Sequence, residues 1–181
     1  MERRVHSWTE SAPYTKRYAF VPLNRISPNL QHAVISAEDA RFFQHHGFDW
    51  TEIGNAVEED IEEHRERGAS TITQQLVRNL FLSTNRSFIR KAVEFSIVPF
   101  TEAILSKRRI LELYLNVIEW GRGIFGAEAA SRYYYAIPAQ RLTREQAAQL
   151  ASVLPSPLHR KPGQAARYAA RILARMHQTG W

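Results

Sequence analysis

The chain has 181 residues, 44% of them hydrophobic and 11% aromatic, enough to bury a core, so a single domain over 1–181 is expected and wholesale disorder is excluded. The formal charge of +6 points to an anionic partner, whether nucleic acid, an acidic membrane surface or a phosphorylated substrate. The absence of cysteine excludes disulfides, thiolate nucleophiles and cysteine zinc sites, and neither an apolar run of roughly 18 residues nor a basic-then-apolar start offers a membrane span or signal peptide.

Prolines 13, 22 and 28 prevent long helix at the start, and Arg17 to Leu23 reads as a short strand. After Pro28 the pattern turns helical: Leu30, Val34, Ala37 and, beyond Glu38, Phe42 recur on one face until Gly47 stops the run. Asp49 and Glu52, in capping-box register, open a second helix towards Arg67, and Gly68 breaks it. Ser70 is the expected cap of a third helix through Leu82. A polar link over 83–87 leads to helix from Arg90 to Leu105 carrying Val93, Ile97, Phe100 and Ile104, which Pro99 must kink or divide. Ser106 caps the next helix, with Ile110, Leu111, Tyr114 and Leu115 as its buried stripe; Gly121, Gly123 and Gly126 then mark a loop. Helices are expected at about 127–135, at 143–153 with a Thr143/Gln146 capping box, and at about 164–177 after Pro155, Pro157 and Pro162. The expected fold is mainly α, with little strand and no internal repeat.

Polar residues concentrate in segments where a plain helical core has no use for them. Glu38 shares a face with Val34 and Phe42, a setting that desolvates a carboxylate and makes it a better base near neutral pH, although an isolated Glu is more simply read as a solvated helix residue. Gly68 to Asn79 offers a glycine-led helix start with hydroxyls at Ser70 and Thr71, paired Gln74 and Gln75, and Arg78, which suits an anion; the plain alternative is an ordinary N-cap. Arg86, Arg90, Lys91 and Glu94 form a third group, in which Arg90 and Glu94 are spaced for a helical salt bridge. Tyr114, Asn116, the spaced glycines and Glu128 form a fourth, readable also as core and turns. The adjacent His45 and His46 match no zinc spacing, and no Gly-x-x-x-x-Gly-Lys phosphate loop is present.

These segments, in this order, resemble the signature motifs of the family 51 glycosyltransferases, the peptidoglycan polymerases. The family's Glu-Asp-x-x-Phe-x-x-His-x-Gly is met by Glu38, Asp39, Phe42, His45 and Gly47, its Gly-x-Ser-Thr-Ile-x-Gln-Gln by 68–75, and its Arg-Lys-x-x-Glu by Arg90, Lys91 and Glu94. Its Ile-Leu-x-x-Tyr-Leu-Asn with following glycines is met from Ile110 to Asn116 and at Gly121, Gly123 and Gly126, and a last motif by Leu142, Glu145, Ala147, Leu150 and Ala151, so that the likeness covers about 26–162. Departures are Arg78 where Lys is usual, exchanging a point charge for a planar fork, and Tyr134 where Phe is usual. Family members normally carry an N-terminal transmembrane anchor, absent from these 181 residues, and no stretch remains for a transpeptidase domain, so the expectation is a trimmed monofunctional, biosynthetic transglycosylase.

The resemblance implies a lysozyme-like helical fold in two lobes with a cleft between. It implies polymerisation of lipid II, a disaccharide-pentapeptide on undecaprenyl diphosphate, into β-1,4 glycan strands with inversion and release of lipid diphosphate, during bacterial cell-wall synthesis. Inverting chemistry asks for a base opposite the leaving group, a role that falls to Glu38. The diphosphate asks for cations, supplied by Arg78, Arg86, Arg90 and Lys91. Glu94, the second catalytic carboxylate, holds these cations or binds a divalent Mg²⁺ or Mn²⁺ ion; no organic cofactor is expected. Asp39, Ser70, Thr71, Gln74, Gln75 and Asn79 are expected to position sugar and phosphate, with Tyr114 and Asn116 supporting the site. Expected partners are lipid II, the growing strand, the membrane surface and other cell-wall synthases, at the outer or periplasmic face of the cytoplasmic membrane. Phe81, Leu82, Phe88 and Ile89 are expected to dip into the membrane interface. A lysozyme-like glycan cleaver shares the catalytic Glu but has no need of clustered cations, and a basic nucleic-acid binder would not account for Glu38, Asp39 and Glu94 within the same motifs.

Overall fold

Ser27, whose hydroxyl accepts from the Asn29 amide, and Pro28 in the first turn start helix α1, Pro28–Glu38. The computed structural model describes residues 15–54, 70–81 and 88–181, with the backbone alone at 88–90. Contrary to the periodicity, α1 stops at Glu38 and does not run on towards Gly47. Asp39 leaves helical angles (φ −163°, ψ 74°) because its carboxylate is drawn to the Ile72 amide and the His45 ring, and tight turns carry the chain through Phe42. Glu38 thus becomes the last residue of a helix. Asp49 caps the turn at 50–54, accepting from the Thr51 and Glu52 amides, while the remainder of that expected helix lies outside the described residues.

Helix α2, Ile72–Phe81, is opened by Thr71 and not by Ser70. The Thr71 hydroxyl accepts from the Gln74 amide and the Gln74 side chain accepts from the Thr71 amide, a capping box one residue later than expected. Helix α3, Phe88–Ile104, runs unbroken through Pro99, so the proline does not divide it. Its expected apolar stripe faces outward: Val93, Phe100 and Ile104 are exposed, while Val98 and Glu94 are buried. Ser106 caps α4, Lys107–Val117, as expected.

The glycine loop proves to be a small hairpin of β2, Glu119–Gly121, and β3, Ile124–Phe125. β3 also pairs in parallel with β1, which is shorter than the predicted strand and covers Arg17–Tyr18 alone. Gly126 has φ +84°, and a Cβ there would stand 2.8 Å from the Asn116 carbonyl oxygen, so this close approach demands glycine. Helices α5, Ala127–Tyr135, α6, Arg144–Ala151 with its Thr143/Gln146 capping box, and α7, Ala166–Gln178, complete the chain.

α1 packs on α6 and α7, α2 on α3 and α4, and α6 on α7. Leu30, Val34, Ile72, Leu76, Ile110, Leu115, Leu150 and Ile172 meet in the core. The result is the mainly helical architecture that the lysozyme-like resemblance implied.

Candidate active site

A cleft of about 1480 Å³ opens where the C-terminal end of α1, the start of α2 and α7 converge, and Glu38 lines it. The motif sequence dictates this placement. Because Asp39 breaks the helix, Glu38 is the last residue of α1, and its carboxylate reaches Gln75 of α2 at the cleft. Both oxygens of buried Asp39 are occupied: Oδ2 accepts from the Ile72 amide at 3.0 Å and Oδ1 pairs with His45 Nε2 at 2.9 Å. Asp39 therefore fastens the end of α1 to the start of α2, its charge favoured at that N-terminus.

Glu38 is held differently. Gln75 Nε2 donates to Glu38 Oε2 at 2.8 Å and to the Ser70 carbonyl at 3.3 Å, while its Oε1 accepts from the Tyr114 hydroxyl at 2.8 Å. With Tyr114 as donor on one side and a carboxylate acceptor on the other, the Gln75 amide has one favourable orientation. Burial raises the Glu38 pKa above its ordinary value of 4.5; the Gln75 hydrogen bond and Arg78 oppose this, and Asp39 reinforces it. The C-terminal end of α1, with its partial negative charge, acts in the same direction. Burial also pushes the Tyr114 hydroxyl well above its usual range, so it stays a neutral donor. The outcome is a carboxylate with a raised affinity for protons, a single fixed donor and a guanidinium nearby, facing solvent in a cleft.

Of the residues expected from sequence, Glu38, Asp39, Ser70, Thr71, Gln75 and Arg78 line this cleft. Gln74 is buried and occupied by its capping box, and the Thr71 hydroxyl also donates to the Gly47 carbonyl at 2.6 Å. Asn79 turns back to the Gln75 carbonyl of its own helix. Asn116 is fully buried away from the cleft. Its amide group accepts from the Val21 amide and donates to the Val21 and Glu112 carbonyls, all at 2.8–2.9 Å, tying the N-terminal segment to α4. Glu128 similarly clasps the Ala139 amide and Arg132. Lys91 Nζ lies 2.8 Å from Glu94 Oε1, and neither residue lines the cleft. Arg86 and the Arg90 side chain lie outside the described residues.

Among the described residues, one group is spaced to hold a metal ion, Asp39, His45 and Asp49. Asp39 is committed to other partners, and Arg41 approaches Asp49 at 3.7 Å. The opposite cleft wall was not foreseen: Arg160, Arg167, Tyr168, Arg171 and Arg175 line it. The signal was present as arginines recurring every fourth residue beside Tyr168.

A carboxylate of raised proton affinity beside a guanidinium is an arrangement chemically able to accept a proton next to an anion. The chain belongs to the Transglycosylase family, whose sequence model matches residues 4–177. It is similar to a biosynthetic peptidoglycan transglycosylase of Laribacter hongkongensis, with 54% identity over 142 residues, 78% of this chain and 62% of that protein. It is 54% identical to one from Neisseria meningitidis serogroup C over 143 residues, 78% of this chain and 61% of that protein, and 49% identical to one from Azoarcus sp. over 181 residues, 97% and 78% respectively. The chain thus spans about 61–62% of the first two of these relatives.

Proposed function

We propose that this chain is a peptidoglycan glycosyltransferase that polymerises lipid II with inversion, using Glu38 as the base. The observation that carries the reading is the Tyr114–Gln75–Glu38 chain of hydrogen bonds at the cleft, which orients a carboxylate of raised pKa and leaves Oε1 free to take a proton among the described residues.

In the reaction, Glu38 removes the proton of the acceptor sugar's 4-hydroxyl as that oxygen attacks the anomeric carbon of the growing strand. The bond to the diphosphate breaks on the opposite face, so configuration inverts. Diphosphate leaves as an anion and needs charge neutralisation more than protonation. Arg78, on the next helix and close enough to Glu38 to lower its pKa, supplies charge there, and its planar fork suits phosphate oxygens. In the same reading Arg86 and Arg90 remain candidate cations, while Lys91 is paired with Glu94 away from the cleft lining.

The divalent ion expected at Glu94 enters the test and not the mechanism. Lys91 already supplies a compensating charge to that buried carboxylate through Oε1.

The substrate's lipid tail places the protein at the outer face of the cytoplasmic membrane. Of the residues expected at the interface, Leu82 and the side chains of Phe88 and Ile89 lie outside the described residues. Exposed Phe81, Val93, Phe100 and Ile104 support the membrane reading by offering apolar area on α2 and α3, where burial in the protein does not account for it. No helix of the described residues is long and apolar enough to cross a membrane. Replacement of these four by Ser should reduce liposome binding; undiminished binding would remove the membrane face from the proposal.

The deciding experiment is incorporation of labelled lipid II into polymer by the parent and by Glu38→Gln, with and without Mg²⁺ or Mn²⁺. Polymer from the parent alone is expected. Shortening of added glycan strands by the parent, without polymer, would make it a hydrolase.

A further inference from the structure

The reaction leaves a row of arginines on the cleft wall without a task. Arg167 and Arg171 lie one i to i+4 step apart on α7, about 6 Å along the axis, and so share a face. Arg160, just before the helix, joins them on the cleft wall. All three are exposed, and among the described residues none has a carboxylate within ion-pair distance. Like charges at this spacing repel, so the fold gains nothing from the row unless an anion binds it.

Arg175 differs, since its Nη1 donates to the Ser36 carbonyl at 3.2 Å and so helps close the end of α1. Tyr168 links the row to the base. Its hydroxyl donates to the Ala37 carbonyl at 3.3 Å, beside Glu38, and the Arg171 guanidinium lies 5.3 Å from its ring centroid. A ligand whose hydroxyl reaches Glu38 therefore has α7 alongside it.

We propose that Arg160, Arg167 and Arg171 form a subsite for the acidic peptide carried by the disaccharide at Glu38, binding its carboxylates; this rests on lipid II being the substrate. Guanidinium forks match carboxylates in bidentate geometry. Alternate side chains of an extended peptide stand about 7 Å apart, close to the helical spacing of Arg167 and Arg171. Arg78, the guanidinium that acts on Glu38, serves the diphosphate in the proposed reaction and leaves the row to the carboxylates.

The test is titration of the protein with a lipid-free disaccharide-pentapeptide and with the same ligand amidated at its carboxylates. It compares the parent with the triple variant Arg160→Gln, Arg167→Gln, Arg171→Gln, whose melting temperature confirms folding. The parent should bind the native peptide about tenfold more tightly than the amidated one, as expected for lost charge-assisted pairs, and the variant should not discriminate. Equal binding of both ligands by the parent, binding of neither, or a variant that keeps the preference overturns the proposal. So does a variant whose defect is confined to phosphatidylglycerol vesicles, which would make the row a membrane contact. Polymerisation of lipid II is measured alongside. Polymer without peptide preference removes the subsite alone, whereas peptide preference without polymer removes the polymerase reading alone.

Discussion

The junction of α1 with α2 and the junction of α4 with the hairpin both draw motif residues out of water, but they use them oppositely. At the hairpin end, Asn116 and Glu128 spend their polar atoms on Val21, Ala139, Glu112 and Arg132, and Gly126 lets the chain pass against the Asn116 carbonyl. At the α1 end, Asp39 and Thr71 are equally committed, yet they surround a carboxylate that keeps capacity for a proton. Motif density alone does not separate clasp from chemistry; what separates them is whether the side chain's hydrogen-bonding capacity is used up inside the protein.

The largest expected effect is at Glu38. Glu38→Gln should lower polymer formation by about 10²–10⁴-fold, the usual worth of a positioned base. It should also stabilise the fold. A carboxyl whose folded pKa lies above 4.5 loses stability as pH rises through that folded value, so the variant should melt higher than the parent at neutral pH and no higher below about pH 4. A variant that melts lower at neutral pH would show that Glu38 is a clasp like Asp39.

Next comes Asn116→Ala, which strands the Val21 amide and carbonyl and should cost about 3 kcal/mol in denaturant unfolding. Activity should recover on cooling as the folded fraction recovers. Unchanged stability with lost activity would transfer Asn116 to the chemical region. Gly126→Ala should cost about 1–3 kcal/mol, because φ +84° and the 2.8 Å approach to a backbone oxygen must both relax.

The finest test is Gln75→Ala. The Gln75 hydrogen bond lowers the Glu38 pKa, so its removal should move the acid limb of the pH–rate profile to higher pH. Tyr114→Phe should move it the same way by less, since it only frees the Gln75 amide to turn. An acid limb unmoved in both variants would detach the relay from the base.

Much of the helical frame was legible because its signals are local. Pro28 after Ser27, the Thr143 capping box and the Ser106 cap each act within a helical turn, and the structure keeps them. The Thr71–Gln74 box is equally local, but Ser70 directly before it is an equally good cap by residue type, so the sequence leaves the start of α2 ambiguous by one residue. The end of α1 was not legible, because the periodicity through Phe42 is intact and the break comes from partners 33 residues away along the chain, at Ile72. The outward face of α3 was hidden for a related reason: its apolar stripe reads the same whether it meets a core or a surface, and tertiary packing, in which α3 meets α2 and Val98 meets the turn at Gly47, chose Val98 and Glu94 for burial.

The sequence by itself determined the mainly helical class and the motif order that marks the family, with Glu38 inside the first motif, since residue types, spacing and caps are local facts. Tertiary structure alone decided that Gln75 and Tyr114 hold the Glu38 carboxylate, that Gln74 and Asn116 serve the frame, and that the arginines of α7 face the cleft. Each of those outcomes depends on which distant groups satisfy a polar atom, and hydrogen-bond partners distant along the chain leave no period in the sequence.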